Sequence, residues 1–434
     1  MDKMADVLGR AGAWCGQNKY LSAIKNAFQN FMPLTIAGAI GVLWCNVLVN
    51  ESTGLGIFFK PIMALEFLNP AFQAVNFCTI SCITVGITLG IAQEIGVWNM
   101  GAEKAGYIPG LVGLAAWLSV TNTSHMVEGA KEAFTGIAGN ELGATGLFTG
   151  MIIGVLSVEL FCFFEKQDAL KIKMPEQVPP GVARAFEVLV PATITLIITA
   201  CIGSACYNLT GLYLNDVIKN GIQGPLGAVG ATIPGVMIFY LVIMLFWFVV
   251  IHGNNMLSAV KEALFTPLAL ENVEKFNKGE KPTNIINMYF LQMCGEFGGS
   301  GVTIGLVIAI MIFGKREDNK AIASLSLVPG LFNINETVTF GIPMVLNPIL
   351  GIPFVFACLV TILVGYVLTV IGFCPVACLT VPWTTPPIVF GFLATGANVM
   401  GAVTQAILIV VSTVIYVPFL IAYEKYQNKQ AAEA

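Results

Sequence analysis

The six residues Phe332-Asn333-Ile334-Asn335-Glu336-Thr337 place one carboxylate and two amides between two largely apolar segments, residues 325–332 and 338–350. An ionisable group in such surroundings costs several kcal/mol unless it faces a cavity, a partner or a substrate. The alternative is a short solvated loop, which the apolar flanks do not favour. This stretch therefore predicts a polar cavity inside a protein built for lipid.

The composition of the whole chain agrees with a membrane location. Of the 434 residues, 56% are hydrophobic and only 11% are charged, and the mean hydropathy is +0.81. A soluble protein carries about a quarter charged residues. The composition predicts an all-α polytopic membrane protein without a cleaved signal peptide, and the net charge of -4 suggests no nucleic-acid partner. The 11 cysteines lack accompanying histidines or carboxylates, so we expect no metal and no cofactor.

Apolar stretches long enough for a helical span recur along the chain, since a span needs about 20 residues. A surface helix over residues 1–29 precedes them, because apolar residues recur there at helical spacing between basic ones. The segment Ile108–Val120 is short and contains Pro109, which predicts a tilted or broken span. The candidate segments are 31–48, 75–95, 108–120, 146–164, 189–206, 229–251, 302–313, 342–372 and 388–423.

The distribution of Lys and Arg predicts the orientation and two irregular elements. Basic residues cluster in four places, 3–25, 166–184, 261–281 and 315–320. The positive-inside rule places the first three clusters in the cytoplasm, with even numbers of spans between them. One apolar stretch separates the last two clusters, so the parity requires a re-entrant hairpin in the glycine-rich residues 294–301. Residues 333–337, flanked by Pro and Gly, have the same pattern.

The irregular elements divide the chain into unequal halves. Residues 1–185 hold regular spans and end in a proline-containing cytoplasmic connector at 171–180. Residues 186–228 form a connecting span and loop. Residues 229–434 contain both irregular elements, and broken helices of this kind mark transport sites in membrane proteins.

Two residues are the candidates for chemistry, Glu336 and His252. His252 ends an apolar run and is followed by Gly253-Asn254-Asn255. A purely structural interpretation of His252 is a helix-end histidine that hydrogen-bonds a backbone carbonyl, but the neighbouring amides indicate a polar pocket. A histidine is suited to handling protons near neutral pH. Glu296, in the glycine-rich turn, is a third candidate, with a structural and a functional interpretation equally open.

The residue types near these candidates suit a sugar. Carboxylates and amides bind paired hydroxyls, and aromatic rings cover the apolar faces of sugar rings. The candidate binding residues are Asn254, Asn255, Glu296, Asn333, Asn335, Trp247 and Trp383, although either tryptophan could instead belong to a membrane-interface belt.

Four co-linear motifs carry a resemblance to a known family. They are Lys173-Met174-Pro175-Glu176-Gln177-Val178-Pro179-Pro180, Ile251-His252-Gly253-Asn254-Asn255, Gly298-Gly299-Ser300-Gly301 and Asn333-Ile334-Asn335-Glu336-Thr337, the last followed by Phe340-Gly341-Ile342-Pro343. The chain resembles the membrane component, IIC, of the sugar phosphotransferase system, in its lactose/cellobiose/diacetylchitobiose branch. The similarity covers nearly the whole chain.

The resemblance implies a fold and a role. Such proteins are ten-span homodimers of the bacterial cytoplasmic membrane with both termini in the cytoplasm. The resemblance makes residues 1–185 the scaffold and dimerisation half. Their C-terminal half has two re-entrant hairpins, binds one disaccharide and moves across the membrane in elevator fashion. A phosphocysteine on a cytosolic IIB protein then phosphorylates the sugar at its 6-hydroxyl. Since this chain ends at Ala434, we expect IIB to act as a separate protein.

The same resemblance assigns roles to residues. Glu336 would bind the reacting hydroxyl and accept its proton, and His252 would hydrogen-bond near that hydroxyl. Asn254 or Asn255, Glu296 and Trp383 would line the pocket around a β-linked, cellobiose-like disaccharide.

Two other classes of protein remain alternatives on the sequence. An ion-coupled secondary transporter of a polar solute also uses broken helices and a membrane carboxylate. However, Asp168, Asp216 and Asp318 all lie in polar segments, which weakens the case for ion coupling. A membrane-embedded enzyme with His252 as base is the third class, and the sequence offers it no second histidine nearby.

Overall fold

The computed structural model describes residues 14, 17–51, 56, 59–125, 134–175, 177–225, 230–249, 251–342, 344 and 347–433, without the side chains of residues 431 and 432. Most of these residues are helical, because a helix satisfies its own backbone hydrogen bonds within a bilayer. Most of the predicted surface helix over residues 1–29 lies outside the described residues, and the first long helix begins at Lys19.

The helices are numbered here in chain order. They are α1 (Lys19–Leu43), α2 (Asn69–Asn76), α3 (Ile83–Met100), α4 (Ala102–Ala105), α5 (Ile108–Val120), α6 (Gly139–Leu142), α7 (Ala144–Glu165), α8 (Pro180–Thr210), α9 (Leu214–Ile218), α10 (Ile233–Phe248), α11 (Gly253–Met256), α12 (Ser258–Asn277), α13 (Met288–Gly295), α14 (Ile304–Phe313), α15 (Glu317–Leu331), α16 (Glu336–Gly341), α17 (Gly351–Val370), α18 (Val389–Ala394) and α19 (Val399–Glu433). Short 3-10 or π-helical segments occur at Trp44–Leu48, Lys60–Leu68, Phe77–Ser81, Asp168–Leu170 and Lys219–Gln223.

One small element departs from the all-α expectation. Strands β1 (Ser124–His125) and β2 (Phe134–Thr135) pair in antiparallel register, with Ser124 opposite Thr135 and His125 opposite Phe134. The two strands are only two residues long each, so the fold is otherwise helical wherever the structure describes the chain.

Several helices are long and apolar enough to cross a membrane. Within the described residues, five helices meet both criteria: Lys19–Leu48, Ala144–Glu165, Pro180–Thr210, Gly351–Val370 and Val399–Gln430. A sixth results if Lys60–Ser81 and Ile83–Met100, which meet at a 42° bend, count as one span. Three shorter apolar helices are α5, α10 and α14. The chain is a multi-pass helical membrane protein, and α5 is one continuous helix rather than a broken one.

The chain forms two compact units. The first unit comprises the described residues of 17–38 and 74–227, and the second comprises those of 39–73 and 228–434. The contact units do not follow the sequence boundaries at 185 and 229, since residues 39–73 group with the C-terminal segment. The functional division of the chain into halves stays a prediction.

The first unit is built on α3, α5, α7 and α8, which pack on one another. Ile87, Ile91 and Ile95 of α3 repeat every four residues, as one face of a helix does, and all three are fully buried. Gly150 allows α7 to lie close to α3, since a Cβ there would lie 2.2 Å from Thr88 Oγ1. Small residues permit this close approach in membrane helices, where packing rather than hydrophobicity drives association.

The second unit contains both predicted irregular elements. Helix α13 ends at Gly295 and α14 begins at Ile304, whereas α15 ends at Leu331 and α16 begins at Glu336. The helical structure is therefore interrupted at both places where the sequence predicts an interruption. Helix α14 packs on α15 and α19, and α13 packs on α17. The Tyr416 hydroxyl of α19 donates to the Gly301 carbonyl at 2.8 Å, which ties the first break to the longest helix.

The carboxylate of Glu424 anchors the start of α15 to the end of α19. It is 6% exposed and accepts hydrogen bonds from the backbone N–H groups of Lys315 and Arg316 and from the amide of Asn319. The two backbone donors lie at the start of α15, where N–H groups have no partner within the helix. Beside them, the Arg316 guanidinium hydrogen-bonds Asp318 and holds the pKa of that carboxyl below its ordinary value.

We expect Glu424→Ala to lower the free energy of unfolding by about 2–3 kcal/mol, because three donors lose a charged acceptor. Glu424→Gln, which keeps one acceptor oxygen, should cost less. Denaturation in detergent measures both. Glu433→Ala on the same helix is the matched control, since its pair with Lys429 is exposed and spans 3.8 Å. Equal costs for the Glu424→Ala and Glu433→Ala variants would contradict the anchoring role.

Candidate functional site

A cavity of about 210 Å³ lies in the second unit, at the two helix breaks. Eight of the nine predicted site residues line it, and they come from the ends of α11, α13 and α16 and from the segment before α18. Its lining consists of His252, Asn254, Asn255, Lys261, Gln292, Glu296, Gly299, Ser300, Asn333, Ile334, Asn335, Glu336 and Trp383. Ten of these 13 residues are His, Asn, Gln, Ser, Lys or Glu, so the cavity suits a ligand with many hydrogen-bonding groups.

His252 is fixed in the cavity wall by a helix cap. It precedes α11, and its Nδ1 accepts the backbone N–H of Asn255 at 3.2 Å. Because Nδ1 accepts, the neutral ring carries its proton on Nε2. The indole of Trp247 lies against the ring, with the centroids 4.3 Å apart. His252 is therefore oriented from two sides, and its Nε2 is a hydrogen-bond donor.

Trp247 supports His252 rather than lining the cavity. Its side chain is 3% exposed and also packs edge-to-face against Phe354. The sequence predicted Trp247 as a surface for stacking on a sugar. Trp383, the other predicted stacking residue, lines the cavity and is 45% exposed, and its stacking role stays a prediction.

Glu336 is the first residue of α16 and lies open to the cavity. Within the described part of the chain, no hydrogen bond or ion pair engages its carboxylate, so both oxygens are available to a ligand. An unpaired carboxylate beside a histidine N–H can accept a proton from a bound hydroxyl, which is a general-base arrangement.

Asn333 joins three non-helical segments through its side chain. Its Oδ1 accepts the backbone N–H of Gly298 at 2.6 Å, and its Nδ2 donates to the carbonyls of Trp383 and Thr385. The backbone of Asn333 is left-handed, with φ of 63°, a conformation that asparagine adopts more readily than most residues. The residue thus connects both helix breaks with the segment that carries Trp383.

Asn335 makes a second connection between the two breaks. It is 4% exposed, and its amide donates to the Ser300 carbonyl at 2.8 Å and to Thr303 Oγ1 at 3.1 Å. Gly299 is required opposite it, because a Cβ on that residue would lie 2.5 Å from Asn335 Cγ. Both donors of Asn335 and all the bonds of Asn333 go to protein. These bonds position the two helix breaks, and the sugar-binding role of the two asparagines, which also line the cavity, stays a prediction.

Glu296 lies directly after α13 and has two protein partners. Its Oε1 accepts the Lys261 ammonium at 2.6 Å and the Tyr240 hydroxyl at 2.8 Å. The sequence analysis predicted neither Lys261 nor Tyr240 as a site residue. Lys261 belongs to a basic stretch that we interpreted as cytoplasmic, yet the residue is only 8% exposed and lines the cavity. Its position one turn into a helix that follows His252 is the signal that could have identified it.

Two amide oxygens in the lining have no hydrogen-bond partner among the residues that the structure describes. Asn254 donates its Nδ2 to Ser300 Oγ at 3.1 Å, but its Oδ1 is buried without a donor, as is the Oε1 of Gln292. A buried polar atom without a hydrogen bond is costly. Such atoms in a cavity lining indicate a ligand that donates hydrogen bonds, as hydroxyl groups do.

The positioning role of Asn333 can be tested with glycine, which keeps the left-handed backbone and removes only the side chain. We expect Asn333→Gly to lower the free energy of unfolding by about 2–4 kcal/mol, since three hydrogen bonds are lost. The matched control is Asn398→Gly, where one local bond to the Met400 N–H caps α19 and glycine costs a few tenths of a kcal/mol. Similar effects in both variants, measured by denaturation in detergent, would refute the role.

Comparisons with known proteins agree with the helical membrane fold. The family model "Phosphotransferase system, EIIC" matches residues 25–358. The oligo-beta-mannoside-specific EIIC component of Bacillus subtilis is 33% identical over 98% of this chain and 94% of its own length. The cellobiose-specific EIIC component of Lactococcus lactis is 29% identical over 98% of both chains.

A solved structure gives the same result. The transporter ChbC, the IIC component of the N,N'-diacetylchitobiose-specific phosphotransferase system, matches with a TM-score of 0.87 and 29% identity over 97% of each chain. The sequence match covers both the spans and the cavity-forming breaks of the second unit. The chain therefore belongs to the EIIC family, the sugar-transporting membrane components of the phosphotransferase system.

Proposed function

We propose that this protein binds a β-linked disaccharide, carries it across the cytoplasmic membrane and presents its 6-hydroxyl to a separate phosphorylated IIB protein. The observation that carries the proposal is the unpaired Glu336 carboxylate in one polar cavity with His252 and Trp383. The names of the relatives support the substrate class, since they specify oligo-beta-mannosides, cellobiose and N,N'-diacetylchitobiose.

The geometry divides the chemistry between two residues. In the proposed step the 6-hydroxyl oxygen attacks the phosphorus of the IIB phosphocysteine, the P–S bond breaks, and the sulfur leaves as a thiolate. The hydroxyl proton goes to Glu336. His252 cannot take that proton through Nδ1, which accepts the Asn255 N–H, so its Nε2–H instead donates to the hydroxyl oxygen and orients it. Positioning of this kind lowers the barrier before any proton moves.

The product differs from the substrate in charge. A sugar phosphate carries negative charge and would meet Glu336 and Glu296, whose charges exceed the single ammonium of Lys261 in the lining. Like charges in a partly desolvated site repel strongly. Phosphorylation therefore favours release into the cytoplasm and makes uptake one-way.

The architecture that we propose follows the family resemblance. It is a homodimer of about ten spans per chain, with two re-entrant hairpins at residues 294–301 and 333–337 and both termini in the cytoplasm. Residues 1–185 form the scaffold and dimerisation half, and residues 229–434 move as the sugar-binding half of an elevator. The helix breaks beside the cavity and the basic clusters of the sequence support this arrangement.

We expect Glu336→Gln to reduce sugar phosphorylation by about 10²–10⁴-fold, because the amide cannot accept the hydroxyl proton. Sugar affinity should change little, since the amide still hydrogen-bonds. The assay uses purified protein, phosphorylated IIB and labelled cellobiose, with affinity measured separately by calorimetry. Near-normal phosphorylation by this variant would overturn the role of Glu336.

A second variant isolates the Nε2–H of His252. Asparagine at this position keeps the cap, since its side-chain oxygen can accept the Asn255 N–H, but it lacks the Nε2 donor. We expect His252→Asn to weaken cellobiose binding by about tenfold, a loss of roughly 1.4 kcal/mol, with little change in the unfolding midpoint. Unchanged affinity would show that His252 serves only as a cap.

A further inference from the structure

Lys261 is a charged residue without an assigned role at the proposed sugar site. It lies in the first turn of α12, and its side chain is 10% exposed. Lys261 and Glu296 both line the cavity. The Lys261 ammonium donates to the Glu296 carboxylate at 2.6 Å. Burying two such charges is expensive, and an ion pair offsets the cost only if the remaining hydrogen-bonding positions are also filled.

Those remaining positions are not filled by the described protein atoms. An ammonium has three N–H donors, and the structure assigns one of them, to Glu296 Oε1. The same Oε1 accepts the Tyr240 hydroxyl. The other oxygen, Oε2, receives no donor from the described residues. The pair therefore presents at least one donor and one acceptor, side by side, to the cavity.

The surroundings hold this donor and acceptor in fixed positions. Tyr240 is 1% exposed and belongs to α10, whereas Lys261 belongs to α12, so Glu296 Oε1 is held from two helices. With Oε1 held, the carboxylate cannot rotate away, and Oε2 keeps its direction. A fixed donor next to a fixed acceptor matches two neighbouring hydroxyls, of which one accepts and the other donates.

We propose that Lys261 and Glu296 act as one unit that binds two adjacent hydroxyls of the disaccharide, distinct from the 6-hydroxyl held at Glu336. Lys261 donates to the oxygen of one hydroxyl, and Oε2 of Glu296 accepts the hydrogen of its neighbour. This inference rests on the proposed function and adds to it a requirement on the substrate, namely an unsubstituted pair of adjacent hydroxyls.

The first test is a double-mutant cycle on cellobiose affinity. We expect Lys261→Gln and Glu296→Gln each to weaken binding by about 10- to 100-fold, and the double variant to be no weaker than either, because the residues act as a unit. The turnover number at saturating cellobiose and IIB is measured separately, so that a loss of affinity is distinguished from a loss of catalysis. Additive losses would overturn the proposal, and so would a loss confined to turnover.

The matched control is Lys278→Gln, directly after the same helix. Its ion pair with Glu274 also spans 2.6 Å, but both side chains are exposed, by 59% and 42%. We expect no change in affinity. If Lys261→Gln does not fold, Lys261→Arg keeps the positive charge but replaces the point donor with a planar fork. It should fold and bind cellobiose more weakly, and wild-type affinity would count against the proposal.

A set of monodeoxy cellobioses tests the substrate side with the wild-type protein. We expect affinity to fall for two analogues that lack adjacent hydroxyls, and this discrimination to vanish in the Lys261→Gln/Glu296→Gln variant. Discrimination that persists in the double variant would overturn the inference while leaving the proposed function intact. A wild-type protein that neither binds nor phosphorylates any β-disaccharide would instead overturn the proposed function.

Discussion

The site depends on one constraint: backbone that is not helical at membrane depth must satisfy its hydrogen bonds within the protein. Asn333 meets this constraint for three segments at once, because its amide accepts from Gly298 and donates to the carbonyls of Trp383 and Thr385. Asn335 adds a second connection through Ser300 and Thr303. The two breaks can thus lie side by side and leave a polar cavity between them, into which Glu336 opens.

The chemistry follows from which polar groups the fold leaves without partners. The side-chain amides of Asn333 and Asn335 donate to other protein groups. In contrast, the Glu336 carboxylate, the Oδ1 of Asn254 and the Oε1 of Gln292 have no partner among the described residues. His252 offers a donor, because its other nitrogen caps α11. A neutral polyol supplies groups that match this set. The cavity needs no charge on the substrate, and it disfavours the negative charge of the phosphorylated product.

The sequence predicted those features that depend on residues close together in the chain. A carboxylate between apolar segments and glycine-rich interruptions predicted both helix breaks and eight residues of the cavity lining. It failed where the answer depends on tertiary packing. Lys261 was counted in a basic cluster that we interpreted as cytoplasmic, and Trp247 was predicted to be a stacking surface although it packs against His252. The sequence also could not predict which partners Asn333 and Asn335 bond, since an amide near a site can bind ligand or protein.

Hydropathy predicted nine apolar segments, whereas five or six described helices are long enough to span alone, because breaks and short helices divide the rest.

The most direct test of the account is uptake of radiolabelled cellobiose into cells that express the protein, with and without a functioning cytosolic phosphoryl-donor chain. The chemical form that accumulates decides the matter. The account predicts that cellobiose phosphate accumulates, and only when the donor chain functions. Accumulation of free cellobiose that follows an ion gradient and ignores the donor chain would contradict it.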